Sequence, residues 1–295
     1  MKPPLFRYLD PRALDDAIAV LGEHGDEAKV LAGGQSLMPM LAMRLAYPSF
    51  VVDLNRVLEL DYIRRENDSL AIGALARHSA AEDSPEVRAA CPLISKAMPY
   101  VGHRAIRNRG TLGGSLAHAD PAGELPAVMT ALDATVTIAG RSGTRTTPVA
   151  ELFEMPLVAR LEADEILIAI SVPSQPEGAG SAVLEVARRH GDFALVGVAA
   201  SACVDSRGQL AGVRLACFGA GPTPIRLRAA EQAATAADLT DEAFAEAGAA
   251  ASGEVDPADD MHASATYRRT VTKVLVRRAL RAAAEDALTT TEVRA

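Results

Sequence analysis

The sequence contains no tryptophan, and its other aromatic residues are only five tyrosines and six phenylalanines among 295 residues. Proteins that bind single-stranded nucleic acids stack bases on aromatic rings, so such stacking surfaces are scarce here. Basic residues are in deficit as well, because 30 lysines and arginines stand against 38 aspartates and glutamates, for a formal net charge of -8. This balance argues against nucleic-acid binding that is driven by neutralisation of phosphates.

Cysteine is equally sparse, since Cys91, Cys203 and Cys217 are the only three and no two of them form a CxxC pair. Their spacing indicates neither a disulfide framework nor a zinc or iron–sulfur ligand set, and we predict no metal bound to this chain. The first thirty residues lack the pattern of a secretion signal, and no apolar run approaches the ~20 residues that cross a bilayer. We therefore expect a cytoplasmic protein with no membrane span.

The length and the order of the patterns predict three parts. Residues 1–55 are interpreted as a small N-terminal αβ subdomain, residues 56–176 as a larger αβ subdomain, and residues 177–295 as a C-terminal domain. The last boundary falls in "SQPEGAGS" (174–181), which is the stretch richest in the linker residues Pro and Gly. In the last part, three predicted strands precede the helices, which is typical of an α+β fold.

Local patterns predict the individual elements. Asp10 and Pro11 resemble an N-cap and a first helical residue, and apolar residues then recur at helical spacing. Asp120 and Pro121 give the same signal for a second helix. Strands are predicted at 29–32, 50–54, 60–65, 69–75, 134–140, 145–149, 165–173, 181–189, 195–205 and 211–220. Helices are predicted from about residue 10, and at 36–44, 92–101, 120–129, 227–237, 240–251 and 264–285.

Two glycine pairs are the most informative features. The first, in "AGGQS" (32–36), follows a predicted strand and carries the polar side chains of Gln35 and Ser36. Alone it is equally consistent with a plain tight turn and with a loop whose backbone N–H groups approach a phosphate. The second pair, in "TLGGS" (111–115), is flanked by two hydroxyl side chains.

Two such loops could close on one diphosphate from opposite sides. Each hydrogen bond to a charged oxygen contributes roughly 1.5 to 3 kcal/mol, so four or five of them hold a dinucleotide without a large basic patch. Neither loop has the GxGxxG pattern of a nicotinamide-binding Rossmann unit, and no GKS or GKT of a phosphate-binding P-loop occurs. Both of those classes are therefore disfavoured.

Three motifs in this order resemble the FAD-binding medium subunit of the molybdenum hydroxylases, the carbon monoxide dehydrogenase and xanthine dehydrogenase family. They are "AGGQSLMP" (32–39), "RNRGTLGGSLAHADPAGELPA" (107–127) and "EVARRHGDFALVGVAA" (185–200). The similarity extends to "YRRTVTKVLVRRAL" (267–280) and so covers nearly the whole chain. It implies a two-part FAD-binding domain of the PCMH type, followed by a C-terminal three-stranded sheet with helices.

The resemblance also implies which residues bind FAD. Phe193 matches an aromatic residue that lies beside the flavin ring and is often a tyrosine in relatives, so a hydroxyl is missing here. Glu124 matches an acidic position that hydrogen-bonds FAD. The full implied set is Lys29, Ala32, Gly33, Gly34, Gln35, Ser36, Leu37, Val101, Gly102, Thr111, Leu112, Gly113, Gly114, Ser115, Glu124, Ile166, Leu167 and Phe193. No catalytic acid or base is predicted, and His118, Arg188 and Arg189 are given no assigned role.

The family implies an oxidoreductase that acts as an electron relay. A large subunit with a molybdopterin cofactor and a small subunit with two [2Fe-2S] clusters are the expected partners, in a dimer of heterotrimers. FAD in this chain would pass electrons to an external acceptor such as a quinone, NAD or oxygen. Two alternatives stay open from the sequence: a self-contained flavin oxidoreductase of the same architecture, and a nucleotide-binding module without redox chemistry.

Overall fold

The computed structural model describes residues 2–292, and the first part of the chain forms a small parallel sheet with strand order β1-β3-β2. Ala17 and Leu21 on the first helix pack with Val52 on the middle strand, so one face of this sheet is covered. The elements are β1 (Arg7–Leu9), α1 (Leu14–His24), a 3-10 helix (Gly25–Glu27), β2 (Ala28–Leu31), α2 (Leu37–Ala42) and β3 (Phe50–Asp53).

The start of α1 differs from the prediction. The helix begins at Leu14 with Ala13 as its N-cap residue, so the prediction of a helix start at Asp10 and Pro11 is wrong. The Asp10 carboxylate is instead paired with the Arg56 guanidinium at 2.8 Å. A short strand, β1, was not predicted, because three residues are too few to show alternation.

The second sheet is antiparallel and has five strands in the order β4-β5-β10-β6-β7. Most of the helices of this part lie between its second and third strands in the chain. Its elements are a 3-10 helix (Leu58–Leu60), β4 (Ile63–Glu66), β5 (Ser69–Gly73), α3 (His78–Asp83), α4 (Pro85–Ala90), α5 (Pro92–Ala97), a 3-10 helix (Met98–Tyr100), α6 (Arg104–Arg107), α7 (Leu112–His118), α8 (Glu124–Ala131), β6 (Thr135–Gly140), β7 (Gly143–Pro148), α9 (Val149–Leu152), β8 (Phe153–Met155), β9 (Val158–Ala159) and β10 (Ile166–Pro173).

Helix α8 lies at the centre of the molecule. All eight of its residues are buried, which is expected of a helix that is covered on every side. The prediction that Asp120 caps this helix is wrong, because the helix begins at Glu124 after an N-cap at Gly123. Asp120 stabilises the preceding turn instead, where its Oδ1 accepts a hydrogen bond from the N–H of Ala122 at 2.9 Å.

The third sheet is antiparallel, with strand order β11-β12-β13-β14, so the prediction of three strands is wrong by one. The fourth strand has only two residues and pairs with the end of β13. No helix within residues 2–292 is both long and apolar enough to cross a membrane. The elements are β11 (Gly180–Ala187), β12 (Ala194–Val204), β13 (Leu210–Phe218), β14 (Ile225–Arg226), α10 (Arg228–Ala234), α11 (Asp241–Glu254) and α12 (Ala265–Glu292).

The connection between the second and third sheets is anchored on both sides. The Gln175 amide donates hydrogen bonds to the Oγ atoms of Ser181 and Ser201, at 2.9 and 2.7 Å, and its Oε1 accepts from the N–H of Leu93. Side chains of α8, β12 and β13 share one buried apolar cluster. The third sheet is therefore packed directly on the second part of the chain, and this contact positions the loops of the candidate site.

Close packing of α12 on the third sheet generates a first prediction. A Cβ at Gly180 would overlap the carbonyl oxygen of Ala283 and approach its carbonyl carbon to 3.0 Å. We expect Gly180→Ala to lower the free energy of unfolding by about 1 to 3 kcal/mol through overpacking. Gly253→Ala in α11 is the control, since nothing lies within 4 Å of its added Cβ, and it should raise stability by about 0.5 to 1 kcal/mol. Urea denaturation of both variants measures the difference, and equal stabilities would contradict this packing.

Candidate functional site

The first glycine loop joins β2 to α2 and leaves backbone donors open. Gly34 has a left-handed backbone, with φ of +73°, which glycine adopts without strain. The Gln35 amide donates a hydrogen bond to the carbonyl of Gly33 at 2.9 Å, which fixes the turn. The N–H groups of residues 33–36 donate to no other described residue. Consecutive free N–H groups beside a bare backbone form a concave site that suits an anion.

The second glycine loop is arranged differently. Thr111 is the N-cap of α7, and its Oγ1 accepts a hydrogen bond from the N–H of Gly114 at 3.1 Å. The N–H groups of Leu112 and Gly113 donate to carbonyl oxygens at the end of β5, both at 3.0 Å. The N–H of Ser115 is also used, by the carbonyl of Thr111. The N–H groups of residues 112–115 are thus occupied, so the side chains that this loop could offer a ligand are the hydroxyls of Ser115, which is half-buried, and of Thr111, which is buried.

The two glycines of the second loop have structural reasons of their own. A Cβ at Gly113 would lie 2.5 Å from the Cβ of Ala74, so this glycine permits close packing of α7 on the end of β5. Gly114 does not have positive φ, and a Cβ there would lie 2.6 Å from Thr111 Oγ1. Gly114 therefore leaves room for the capping hydroxyl.

The structure places the two loops near each other. A Cβ at Gly33 would overlap the carbonyl oxygen of Arg109 and lie 2.7 Å from the Cα of Gly110. On the other side, a Cβ at Gly114 would lie 3.8 Å from the Cβ of Ala32. Gly33 is therefore required for backbone-to-backbone contact between the loops, which is a stronger constraint than a turn alone.

Two side chains outside the predicted set hold this contact. Asn55 donates from its Nδ2 to the carbonyl of Ala32 at 2.8 Å, and its Oδ1 accepts from the Arg77 guanidinium at 2.5 Å. Arg77 also donates to the carbonyl of Arg109. Asn55 and Arg77 thus form a continuous chain of hydrogen bonds from the first loop to the segment that precedes the second. We call this chain the loop clamp.

A buried histidine supports the second loop. The Nε2 of His78 lies 2.9 Å from both the carbonyl oxygen of Thr111 and the Oγ of Ser115. Burial lowers the pKa of His78 to about 4, so the ring is neutral at physiological pH. Because the Thr111 carbonyl can only accept, Nε2 carries the hydrogen. His78 therefore fixes the position of the Ser115 hydroxyl.

Two cavities are relevant to the site, and only one of them borders a glycine loop, the first. The one beside the first loop has a volume of about 400 Å³ and is lined by Leu31, Ala32, Gly33, Gly34, Gln35, Met38, Pro39, Asp53, Asn55, Ile106 and Arg109. The second has a volume of about 1260 Å³ and lies between the loop before α8 and the third sheet. Phe193 is 66% exposed on the wall of this second cavity. Of the predicted FAD-binding residues, Ala32, Gly33, Gly34 and Gln35 line the first cavity, and Phe193 lines the second.

The segment at Val101 and Gly102 connects the regions of the first and the second cavity. Gly102 has φ of +54°, and its carbonyl accepts a hydrogen bond from Arg107 at 2.9 Å. A Cβ at Gly191, in the hairpin loop that leads to Phe193, would lie 2.8 Å from the His103 ring. The loop that carries Phe193 is therefore packed against the segment predicted to line the flavin.

The remaining predicted residues occupy different environments. Glu124 is buried at the start of α8, where burial above all, and then the charge of Asp120, raise its pKa to about 7. Ile166 and Leu167 are buried at the start of β10, before the first residue paired with β5. Lys29 is exposed on β2, Ser36 and Leu37 are half-buried where α2 starts, and Leu112 is buried in the core.

Comparison with known proteins identifies this arrangement. The model of the family described as "FAD binding domain in molybdopterin dehydrogenase" matches residues 4–175, and that of the "CO dehydrogenase flavoprotein C-terminal domain" matches residues 181–283. The chain belongs to the FAD-binding medium subunits of the molybdenum hydroxylase family. Together the two matches cover both the glycine loops and the third sheet.

Three relatives illustrate the similarity. Subunit alpha of the 6-hydroxypseudooxynicotine dehydrogenase complex from Paenarthrobacter nicotinovorans is 41% identical over 292 residues, 99% of each chain. The carbon monoxide dehydrogenase medium chain from Hydrogenophaga pseudoflava is 35% identical over 283 residues, 96% of this chain and 98% of the relative. The structure of quinoline 2-oxidoreductase from Pseudomonas putida 86 has a TM-score of 0.93 at 35% identity, and the match covers 98% of this chain and all of the other.

The residues of this medium subunit fit FAD at the pyrophosphate. Open N–H groups on the first loop, bare backbone at Gly34 and two positioned hydroxyls on the second loop match the donors that a diphosphate accepts. Sequence reasoning missed Asn55, Arg77 and His78. The available signal was positional, because Asn55 lies two residues after β3, and Arg77 and His78 lie in the short stretch between β5 and the start of α3.

The loop clamp generates the next prediction. Arg77→Met removes both guanidinium hydrogen bonds and should lower the unfolding free energy by about 1 to 3 kcal/mol, while FAD affinity falls by about tenfold. Quenching of FAD fluorescence during titration measures the affinity. Arg64→Met is the matched control, because that arginine is exposed on β4, where it pairs with Glu66 and lies over the Tyr62 ring. Unchanged FAD affinity in the Arg77 variant would show that the clamp does not position the loops.

Proposed function

We propose that this chain relays electrons from the [2Fe-2S] clusters of a small partner subunit, through its FAD, to an external acceptor such as a quinone, NAD or oxygen. A large partner subunit with molybdopterin would oxidise the substrate. The observation that carries the proposal is the contact of Gly33 with the backbone of Arg109 and Gly110, directly before the second loop, beside four open N–H groups. That arrangement provides a diphosphate site in a chain of the FAD-binding family.

FAD, when bound, supplies the redox chemistry, whereas the protein binds and orients it. The N–H groups of residues 33–36 would donate to the pyrophosphate from one side, and the Thr111 and Ser115 hydroxyls from the other. Phe193 would stack beside the flavin ring, since its side chain is exposed on a cavity wall. The proposed binding set is Lys29, Ala32, Gly33, Gly34, Gln35, Ser36, Leu37, Val101, Gly102, Thr111, Leu112, Gly113, Gly114, Ser115, Glu124, Ile166, Leu167 and Phe193.

The proposed assembly is a cytoplasmic dimer of heterotrimers. The names of two relatives support partner subunits, since one is a "complex subunit alpha" and another a "medium chain". The relatives are named for different substrates, although each aligns with nearly all of this chain. We infer that substrate choice belongs to the large subunit. The chain itself would divide at 1–55, 56–176 and 177–295, with FAD held between the first two parts.

A substitution at Gly114 tests the pyrophosphate site. Gly114→Val would displace the Thr111 hydroxyl and narrow the space that faces Ala32, so FAD affinity should fall at least tenfold. Equilibrium dialysis against FAD measures the loss, and thermal unfolding of the apoprotein verifies that the variant folds. If the folded variant binds FAD as tightly as the parent, the second loop does not hold the pyrophosphate.

The relay role predicts a protein that is inactive by itself. The isolated chain loaded with FAD should be yellow and reducible by dithionite, yet should not turn over carbon monoxide or quinoline, which the relatives' names suggest as substrates. Co-expression with the large and small subunits should bring substrate-dependent bleaching of the flavin. Oxidation of such a substrate by the single chain, free of molybdenum and iron, at about 1 to 10³ per second would refute the relay.

A further inference from the structure

A second carboxyl group lies close to Glu124. Glu185 is on β11, opposite Gly197 of β12, and its side chain is half-buried. Its Oε2 atom is buried and has no hydrogen-bond partner among the described residues. A buried carboxylate oxygen without a donor is unfavourable, because desolvation of the charge is not compensated.

Within residues 2–292, the structure records no ion pair between Glu185 and a cation. Strand β12 carries no charged residue, and the nearest cation from α5, Lys96, is paired with Asp286 of α12 at 2.6 Å. Arg188 and Arg189 follow directly after the end of β11, where both are exposed and line the second cavity. The titratable groups on the facing elements are Glu124 of α8, Asp120 of the preceding turn and Tyr100 of the 3-10 helix.

The charge of Glu124 acts on Glu185, and the charge of Glu185 acts on Tyr100. Burial first, and then the charge of Glu124, raise the pKa of Glu185 to about 8. The pKa of Glu124 is raised to about 7, and burial together with the charge of Glu185 raises that of Tyr100. Carboxyl groups that share a poorly solvated site do not both ionise readily. At neutral pH the favourable state of this pair therefore retains a proton.

The backbone places Glu185 on the flavin side of the third sheet. Val183, which is two residues earlier and therefore on the same face of β11, belongs to the buried cluster against which Tyr100 and Val101 pack. The hairpin loop after β11 packs on this same segment, where the Tyr100 and His190 rings lie 6.5 Å apart. Glu185 thus belongs to the region that joins Glu124, Gly102 and the loop of Phe193.

We propose that Glu185 is a further residue of the flavin site, where it and Glu124 together hold a proton at neutral pH. The inference rests on the proposed FAD site. A neutral carboxyl group can donate a hydrogen bond to the cofactor, whereas two carboxylates would repel its anionic diphosphate and a ring that gains electrons. Proton retention makes the site compatible with an anionic ligand despite its acidic residues.

The direction in which FAD affinity changes with pH follows from the linkage between proton binding and FAD binding. Bound FAD excludes water and adds negative charge, so it raises the pKa of the carboxyl pair further above its value in the apoprotein. Binding is then favoured while the pair is protonated and weakens as pH rises through the apoprotein pKa of Glu185. One linked proton changes the dissociation constant by up to about tenfold per pH unit.

The experiment is an FAD titration of the apoprotein between about pH 6 and about pH 9, with Glu185→Gln as the variant. Glutamine keeps the shape and cannot ionise. We expect wild-type affinity to fall between about pH 7.5 and 9, and the variant's affinity to change less than about twofold there. Glu242→Gln is the control, because Glu242 is exposed on α11, and it should retain the wild-type slope.

A second measurement does not depend on the variant. Calorimetric titration of wild type near pH 8 in buffers of different ionisation enthalpy counts the protons taken up with FAD, and we expect a substantial fraction of one. Equal slopes in wild type and Glu185→Gln, or no proton uptake, would overturn the role of Glu185 while FAD binding itself stands. Absence of FAD binding by every protein at every pH would overturn the proposed function and this inference with it.

Discussion

The contact between the backbone of Gly33 and that of Arg109 and Gly110 is the constraint on which the site depends. Any side chain at Gly33 would overlap the Arg109 carbonyl, so the two loops approach only because a Cβ is missing. Asn55 and Arg77 then hold the contact through directional hydrogen bonds on either side. The first parallel sheet and the second sheet's helices are thereby fixed relative to each other at the point where a diphosphate would lie.

This contact gives the two loops different chemical roles. The N–H groups of the first loop have no acceptor among the described residues, so those groups stay available to an anion. In the second loop, the end of β5 and the Thr111 hydroxyl use the N–H groups of residues 112–114. The flanking Thr111 and Ser115 thus matter more to a ligand than the glycines between them, which serve packing.

The sequence was informative where the signal is local and much less so where partners are distant. Both glycine loops, the strand segments and the α+β class could be predicted, because turn chemistry and alternation lie within a few residues. The prediction that Asp10 and Asp120 are helix caps is wrong, because each carboxylate has another partner. Asp10 pairs with Arg56, and Asp120 accepts a hydrogen bond from the N–H of Ala122. The Asn55–Arg77 bond joins residues 22 apart, and no local pattern marks it.

The groups close to the proposed site are enough to reconcile the acidic net charge of the chain with the binding of an anionic cofactor. A net charge of -8 opposes a diphosphate only if charges lie near it, because exposed charges are screened over about 8 to 10 Å. At the first loop, the nearest donors are uncharged N–H groups, whose partial positive charges need no counterion. Beside the third sheet, burial raises the pKa of Glu124 and Glu185 towards neutrality and so removes negative charge where it would be most costly. In the proposed site, uncharged N–H donors and the raised carboxyl pKa values thus limit the negative charge that would face the diphosphate, while the whole chain remains acidic.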